Sequence, residues 1–137
     1  MTTATAATSP VTTVRRLGTA ASIAAGVALV AKVAVIAATS GTVRSIVTST
    51  LYILGLTLPL IAAAGIASRR NGRAAMIGSY VAVVLASLFF IMNVSDALEG
   101  VVEIFTDKLY LIEELPLAVL GVIWLIVGLN MRAHDRT

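Results

Sequence analysis

Cysteine is absent from this chain of 137 residues, and histidine and tryptophan each occur once. Without a thiol, no disulfide, thiolate nucleophile or zinc-thiolate site can form, and a single histidine excludes a histidine-rich metal site. Charged side chains are also scarce, at 12% of the residues. Because no Ser-His-Asp arrangement or phosphate-binding glycine loop is present either, we expect no enzymatic activity and no cofactor or metal.

Apolar residues make up 58% of the chain, and the mean hydropathy is +0.98. A soluble domain of this length needs far more polar surface, because short chains expose a large share of their residues. The composition therefore predicts an all-α, polytopic membrane protein whose main surroundings are the lipid bilayer. The net charge is +3, but its distribution along the chain indicates membrane orientation and no nucleic-acid partner.

Four apolar stretches are long enough to cross a hydrocarbon core of about 30 Å as helices. The first could instead be a cleaved signal peptide, but its apolar run exceeds the roughly 7 to 15 residues of such a core, which favours an uncleaved anchor. Residues 15–131 are thus expected to form a four-helix transmembrane domain between flexible tails at 1–14 and 132–137. The predicted spans are about 17–38, 46–67, 74–94 and 115–131.

The basic residues between and beyond these spans are distributed unequally. Two of them, Arg44 and Lys108, fall in the connections on one side of the membrane. The remaining basic residues fall on the opposite side of the membrane, together with both termini. By the positive-inside rule, this side faces the cytoplasm, and the chain is expected to lie in the cell membrane. The cytoplasmic residues would be Arg15, Arg16, Arg69, Arg70, Arg73, Arg132 and Arg136.

Acidic residues recur at near-helical spacing in the connection between the third and fourth spans. On a 3.6-residue period they share one face, which predicts an external amphipathic helix over about 96–114. This face is either the solvated side of an interfacial helix or an acidic surface that binds a partner or collects cations. Its members are Asp96, Glu99, Glu103, Asp107 and Glu114.

Lys32 is the charged residue that lies well inside an apolar stretch. An ionisable group at that depth either extends its side chain to the interface or pairs with an opposite charge. For the second case we predict an ion pair with Asp96 or Glu99, the acids nearest in expected depth.

Small residues form candidate packing faces on the first and fourth spans, since their size allows helix backbones to approach closely. Pro59, within the second span, removes a backbone donor and predicts a kink. The candidate packing residues are Gly18, Ala21, Ala25, Ala28, Gly121 and Gly128.

Small-residue faces without a reaction centre favour a non-enzymatic accessory or interaction subunit of a larger membrane assembly. The partner would be another membrane protein or further copies of the chain. One alternative is an oligomeric channel or carrier for small ions or solutes, in which Lys32 and the acidic face control entry. A holin-like pore former is a third possibility, because phage holins overlap with this chain in size and in their charged tail.

Overall fold

The computed structural model describes residues 10–39 and 46–136, and these residues form helices joined by short turns, with no strand among them. A π-helical segment, Phe90–Val94, joins the third and fourth α-helices without interrupting the helical rod. The α-helices are α1 (Pro10–Ala38), α2 (Ile46–Ala67), α3 (Arg73–Phe89), α4 (Ser95–Val102) and α5 (Leu109–Arg136).

Four helical rods are long and apolar enough to cross a membrane, as the sequence predicts. The second has the predicted bounds, and the third comprises α3, the π segment and α4 as one rod over Arg73–Val102. The all-α, four-span fold is therefore confirmed at this level, and it is compatible with a small multi-pass membrane protein.

The prediction of a separate amphipathic helix over 96–114 is wrong. The backbone stays helical from Val94 into Ser95, so residues 95–102 extend the third span instead of starting a new helix. The chain turns later, at 103–108, where the Thr106 hydroxyl accepts a hydrogen bond from the Lys108 backbone N–H at 3.2 Å. The acidic residues consequently belong to α4, the turn and α5, and do not line one continuous helix face.

The first and last helices are longer than the sequence predicts. α1 begins at Pro10, where a proline suits the first helical position, so residues 10–14 of the predicted tail are helical. α5 begins at Leu109 and contains Pro116, and it continues to Arg136, with basic side chains favourable beside the negative end of the helix dipole. Residues 1–9, Thr137 and the connection 40–45 with Arg44 lie outside the described residues.

α1 is the central helix of the packed core and runs antiparallel to both α2 and α5. Ala25 and Leu29 of α1 are fully buried, together with Ala62 of α2, against Leu120 and Trp124 of α5. The Ser22 hydroxyl donates a buried hydrogen bond to the Trp124 carbonyl oxygen at 2.7 Å, which ties α1 to α5. Three helices thus share one core of small and branched side chains.

Glycines allow the three helices of this core to approach closely. Gly18 of α1 lies directly against Gly65 of α2, and Gly26 lies against Gly121 of α5. A Cβ atom on Gly26 would come within 2.5 Å of the Gly121 carbonyl oxygen. Larger side chains at these positions would force the backbones apart.

The third rod is attached more loosely. α3 packs against α2, and α4 packs against α5, but no residue from Arg73 to Val102 is buried. Val83, Phe90 and Ile91 reach the edge of the core and are partly buried there. The rod therefore rests on the α1–α2–α5 core through one side only.

Candidate functional site

Lys32 lies at one end of the core, where α1, α2 and α5 meet. Its ammonium group forms an ion pair with Glu114 of α5, and it lies 4.9 Å from the centroid of the Tyr52 ring of α2. The Lys32 and Glu114 side chains are 11% and 18% exposed. One charged group thus contacts both neighbouring helices in a largely desolvated position.

The partner of Lys32 is Glu114, and neither Asp96 nor Glu99 takes that place. Asp96 and Glu99 lie on α4, beyond the π segment of the third rod, whereas α5 packs directly along α1. Glu114 is brought to Lys32 because α5 begins before Pro116 and places this carboxylate one turn inside the helix. The pair is then neutral overall, which reduces the cost of holding both groups at membrane depth.

A second charged cluster closes the opposite end of the core. Arg69, just after α2, forms an ion pair with Asp135 of α5 at 2.6 Å. The same guanidinium contacts the Thr19 hydroxyl of α1 at 3.3 Å and donates to the Gly65 carbonyl oxygen at 3.0 Å. Arg15 adds a hydrogen bond to the Ser68 carbonyl oxygen at 3.3 Å. This cluster also connects all three core helices.

The two clusters are separated by about 20 Å along α1, from Thr19 to Lys32, at 1.5 Å per residue. Since this is less than the roughly 30 Å of a hydrocarbon core, both cannot lie in water on opposite sides. In a bilayer whose one surface lies at the arginine end, Lys32 and Glu114 would therefore lie about 10 Å below the other surface. The Lys32–Glu114 ion pair and the contact of Lys32 with Tyr52 thus link α1 to α5 and to α2.

The acidic surface is dispersed over the described structure. Asp96, Glu103 and Asp107 are exposed, whereas Glu99 and Glu114 are half-buried. Only Glu114 among these five engages a described cation. In the described structure these five residues do not share one helix, and an acidic surface that binds a partner or collects cations stays a prediction.

The predicted packing residues all lie in the interior of the core. Ala21, Ala25 and Ala28 are at most 6% exposed, and Gly128 lies against Ile23 of α1. Pro59 is buried within α2, which runs unbroken through it, so the kink at this position stays a prediction.

Small residues also line an exposed side of α3, and the last of them, Ala86, borders a groove that it shares with Ile66 of α2. Ala74, Gly78, Ala82 and Ala86 recur every four residues and are all exposed. The half-buried Tyr80 and Val84 each lie two residues further along, on the opposite side of the helix. Gly78 has open space around it, whereas the glycines of α1, α2 and α5 each lie against another helix.

A groove of about 320 Å³ separates the third rod from α5 beside this exposed side. Its walls are apolar apart from Ser87, whose hydroxyl is satisfied by the Val83 carbonyl oxygen at 2.9 Å. Trp124 forms part of the wall, and its buried indole N–H has no hydrogen-bond partner among the described residues.

Sequence reasoning missed the roles of Glu114, Tyr52, Arg69 and Asp135 at the two ends of the core. The Ala-Gly-Ala-Ala repeat of α3 was readable from its four-residue spacing. The two ion pairs could not be predicted from the sequence, because they depend on how far α5 extends at each end.

Comparison of the chain with protein-family models, with curated proteins and with solved structures finds no match.

Proposed function

We propose that this chain is a non-enzymatic accessory or interaction subunit of a larger membrane assembly, and that it binds its partner through the exposed side of α3. The partner is a transmembrane helix of another membrane protein. The proposal rests on one observation: a small-residue repeat of the kind that packs helices in bilayers is left uncovered on α3, while every core helix has its glycines packed.

The loose attachment of the third rod supports the same proposal. A helix that buries none of its residues within its own chain has most of its surface available to another helix. In lipid, close backbone approach and van der Waals packing provide much of the association energy, and Gly78 with its neighbouring alanines permits that approach.

The core has the features of a stable platform for such an interface. Charged clusters close both of its ends, and its interior is filled by small side chains around Leu29. With the core packed in this way, α3 is the helix that has the most uncovered surface for a partner.

The channel or carrier alternative has weaker support. Lys32 is neutralised by Glu114 and covered on one side by Tyr52, so it does not present a free charge to a conduction path. The groove beside α3 is apolar, as expected for contact with helices or lipid tails.

The proposed location is the cell membrane, with both termini and the 69–73 turn in the cytoplasm. The arginines that support this orientation lie at the same end of the core as the Arg69–Asp135 pair. Reporter fusions at the two termini test it, and an external location of either terminus contradicts it.

Co-purification from the native membrane tests the interaction proposal. After extraction in a mild detergent, the wild-type chain is expected to elute with a second, different polypeptide. Gly78→Leu is expected to lose that partner, because the larger side chain prevents close approach along α3. Gly100→Leu is the matched control, since Gly100 of α4 also has open space around it but lies outside the repeat.

Several outcomes separate the alternatives. A homogeneous single chain in mild detergent contradicts the subunit proposal, as does equal partner loss in Gly78→Leu and Gly100→Leu. Co-purification of two differently tagged copies would indicate a homo-oligomer, and liposome flux altered by Lys32→Ala would then favour the channel. Timed lethality on expression would favour the holin-like pore former.

A further inference from the structure

We propose that the cleft between α1 and α5 at the Arg69–Asp135 end binds the phosphate headgroup of an anionic lipid. The cleft has a volume of about 370 Å³. Its wall on α1 comprises Arg16, Thr19, Ala20 and Ile23, and its wall on α5 includes Arg132 and Arg136. This site is independent of the partner surface on α3.

Three guanidinium groups of the cleft are available to a ligand. Arg16, Arg132 and Arg136 are exposed, and none of them forms a hydrogen bond or ion pair with the rest of the described chain. Guanidinium groups bind phosphate oxygens in a bidentate manner, which makes arginine well suited to a phosphodiester.

The carboxylate in the cleft does not cancel this charge. Asp135 lines the same cavity, but it is already neutralised by Arg69 at 2.6 Å and also accepts a hydrogen bond from the Thr19 hydroxyl at 3.4 Å. Asp135 is thereby held by Arg69 and Thr19, and the cleft keeps a net positive charge.

The other end of the cleft is apolar, and this favours a lipid over a free phosphate ion. Ala20 and Ile23 continue the α1 wall toward the membrane interior, and Ile23 lies about 10 Å deeper than Arg16 along the helix. A ligand with an anionic head and a hydrocarbon tail matches both parts. Basic pockets between transmembrane helices at a membrane surface have this amphipathic character.

Lipid retention by the purified full-length chain tests the proposal. Phosphatidylglycerol and phosphatidylcholine are titrated separately onto the chain in a non-ionic detergent, and bound lipid is measured by native mass spectrometry. We expect tighter binding of phosphatidylglycerol. An arginine near a membrane surface contributes about 1 kcal/mol, so Arg16→Gln with Arg132→Gln should weaken that binding roughly 30-fold.

Arg70→Gln with Arg73→Gln is the matched control, because it removes two exposed arginines at the same membrane surface but outside the cleft. This variant should retain wild-type preference. Equal loss in the two double variants would show general charge attraction and overturn the site, as would unchanged binding in the Arg16 and Arg132 variant. Circular dichroism in phosphatidylcholine verifies that both variants fold.

Two measurements on the wild-type chain keep the proposal testable even if a variant is unstable. Phosphatidylglycerol affinity should fall as salt is raised above 0.1 M. The Debye length is about 10 Å at 0.1 M and becomes shorter at higher salt, so the attraction between the arginines and the phosphate is screened more strongly. A salt-independent affinity contradicts the proposal. Inorganic phosphate should bind far more weakly than the lipid, and equal binding would overturn the assignment of a lipid.

Discussion

The α1–α2–α5 core and the third rod are built from similar apolar sequences but differ in how they are packed. In an apolar stretch of 18 residues within α1, 44% of the residues are buried. In the corresponding stretch of the third rod, Arg73–Val102, no residue is buried. Both regions carry small residues at close spacing. Only in the core do the glycines lie against another helix of the same chain, among the described residues.

This difference shows that apolar length places a helix in the membrane but does not fix its neighbours. Lipid tails are as apolar as the side chains of another helix, so the hydrophobic effect does not drive helices together within the bilayer. Packing is therefore decided by small residues and polar contacts. The core has both, with glycine contacts along α1 and ion pairs at its two ends. α3 has the small residues alone, on an exposed side of the helix.

Overpacking should give the largest contrast between the two regions. Gly18→Leu is expected to reduce the unfolding free energy by about 4 kcal/mol, above the usual overpacking cost, because its Cβ would meet the Gly65 backbone. Gly78→Leu, in open space, should change it by less than about 0.5 kcal/mol. Denaturant titration in micelles, followed by the fluorescence of Trp124, measures both. Equal destabilisation would contradict the distinction between the regions.

Breaking the Lys32–Glu114 pair should have the next largest effect. Lys32→Met leaves Glu114 unpaired in a largely buried position, and we expect a loss of about 3 kcal/mol in the same titration.

The exposed Glu113 is the control residue, and Glu113→Gln should change the unfolding free energy by less than about 0.5 kcal/mol. Combining Lys32→Met with Glu114→Leu removes both charges and should recover most of the loss. A double variant as unstable as Lys32→Met would show that the pair is not the cause.

The Arg69–Asp135 pair should contribute less, because the Asp135 side chain is 35% exposed. Asp135→Asn is expected to reduce the unfolding free energy by about 1 kcal/mol at low salt, and by less in 1 M salt, which screens exposed charges. A salt-independent loss near that of Lys32→Met would mean that the two ends of the core are equivalent.

Trp124 lies at the border between the core and the groove, and its replacement should have the smallest effect. Trp124→Phe removes a buried N–H that has no partner, which offsets the loss of contact area. The net change should be below about 1 kcal/mol, measured by circular dichroism. A loss above about 2 kcal/mol would indicate that the indole N–H is bonded in the membrane.

Much of the fold was readable from the sequence because runs of about 20 apolar residues are a strong signal. The bounds of α2 and the end of α1 at Ala38 agree with the structure. The start of α5 was missed because Glu113 and Glu114 indicate an external position when read alone. Lys32 neutralises Glu114 only after the helices pack, so this tertiary contact was not available to periodicity arguments.

Of the candidate site, the sequence indicated Lys32 as the unusual charge but not its partner. The acidic residues share a helix face only if one helix covers 96–114, and the turn at 103–108 breaks that register. The absence of a helix-breaking residue at Val94 and Ser95 was the signal that the third span would continue.

Site-specific photo-crosslinking in the native membrane tests the uncovered side of α3 most directly. A crosslinker at Ala82, on this side, is compared with one at Ile126 of α5, which is 53% exposed. We predict a protein adduct of defined mass at position 82 that Gly78→Leu abolishes, and only lipid adducts at position 126. Lipid adducts alone at both positions, or the same protein adduct at both, would contradict the account.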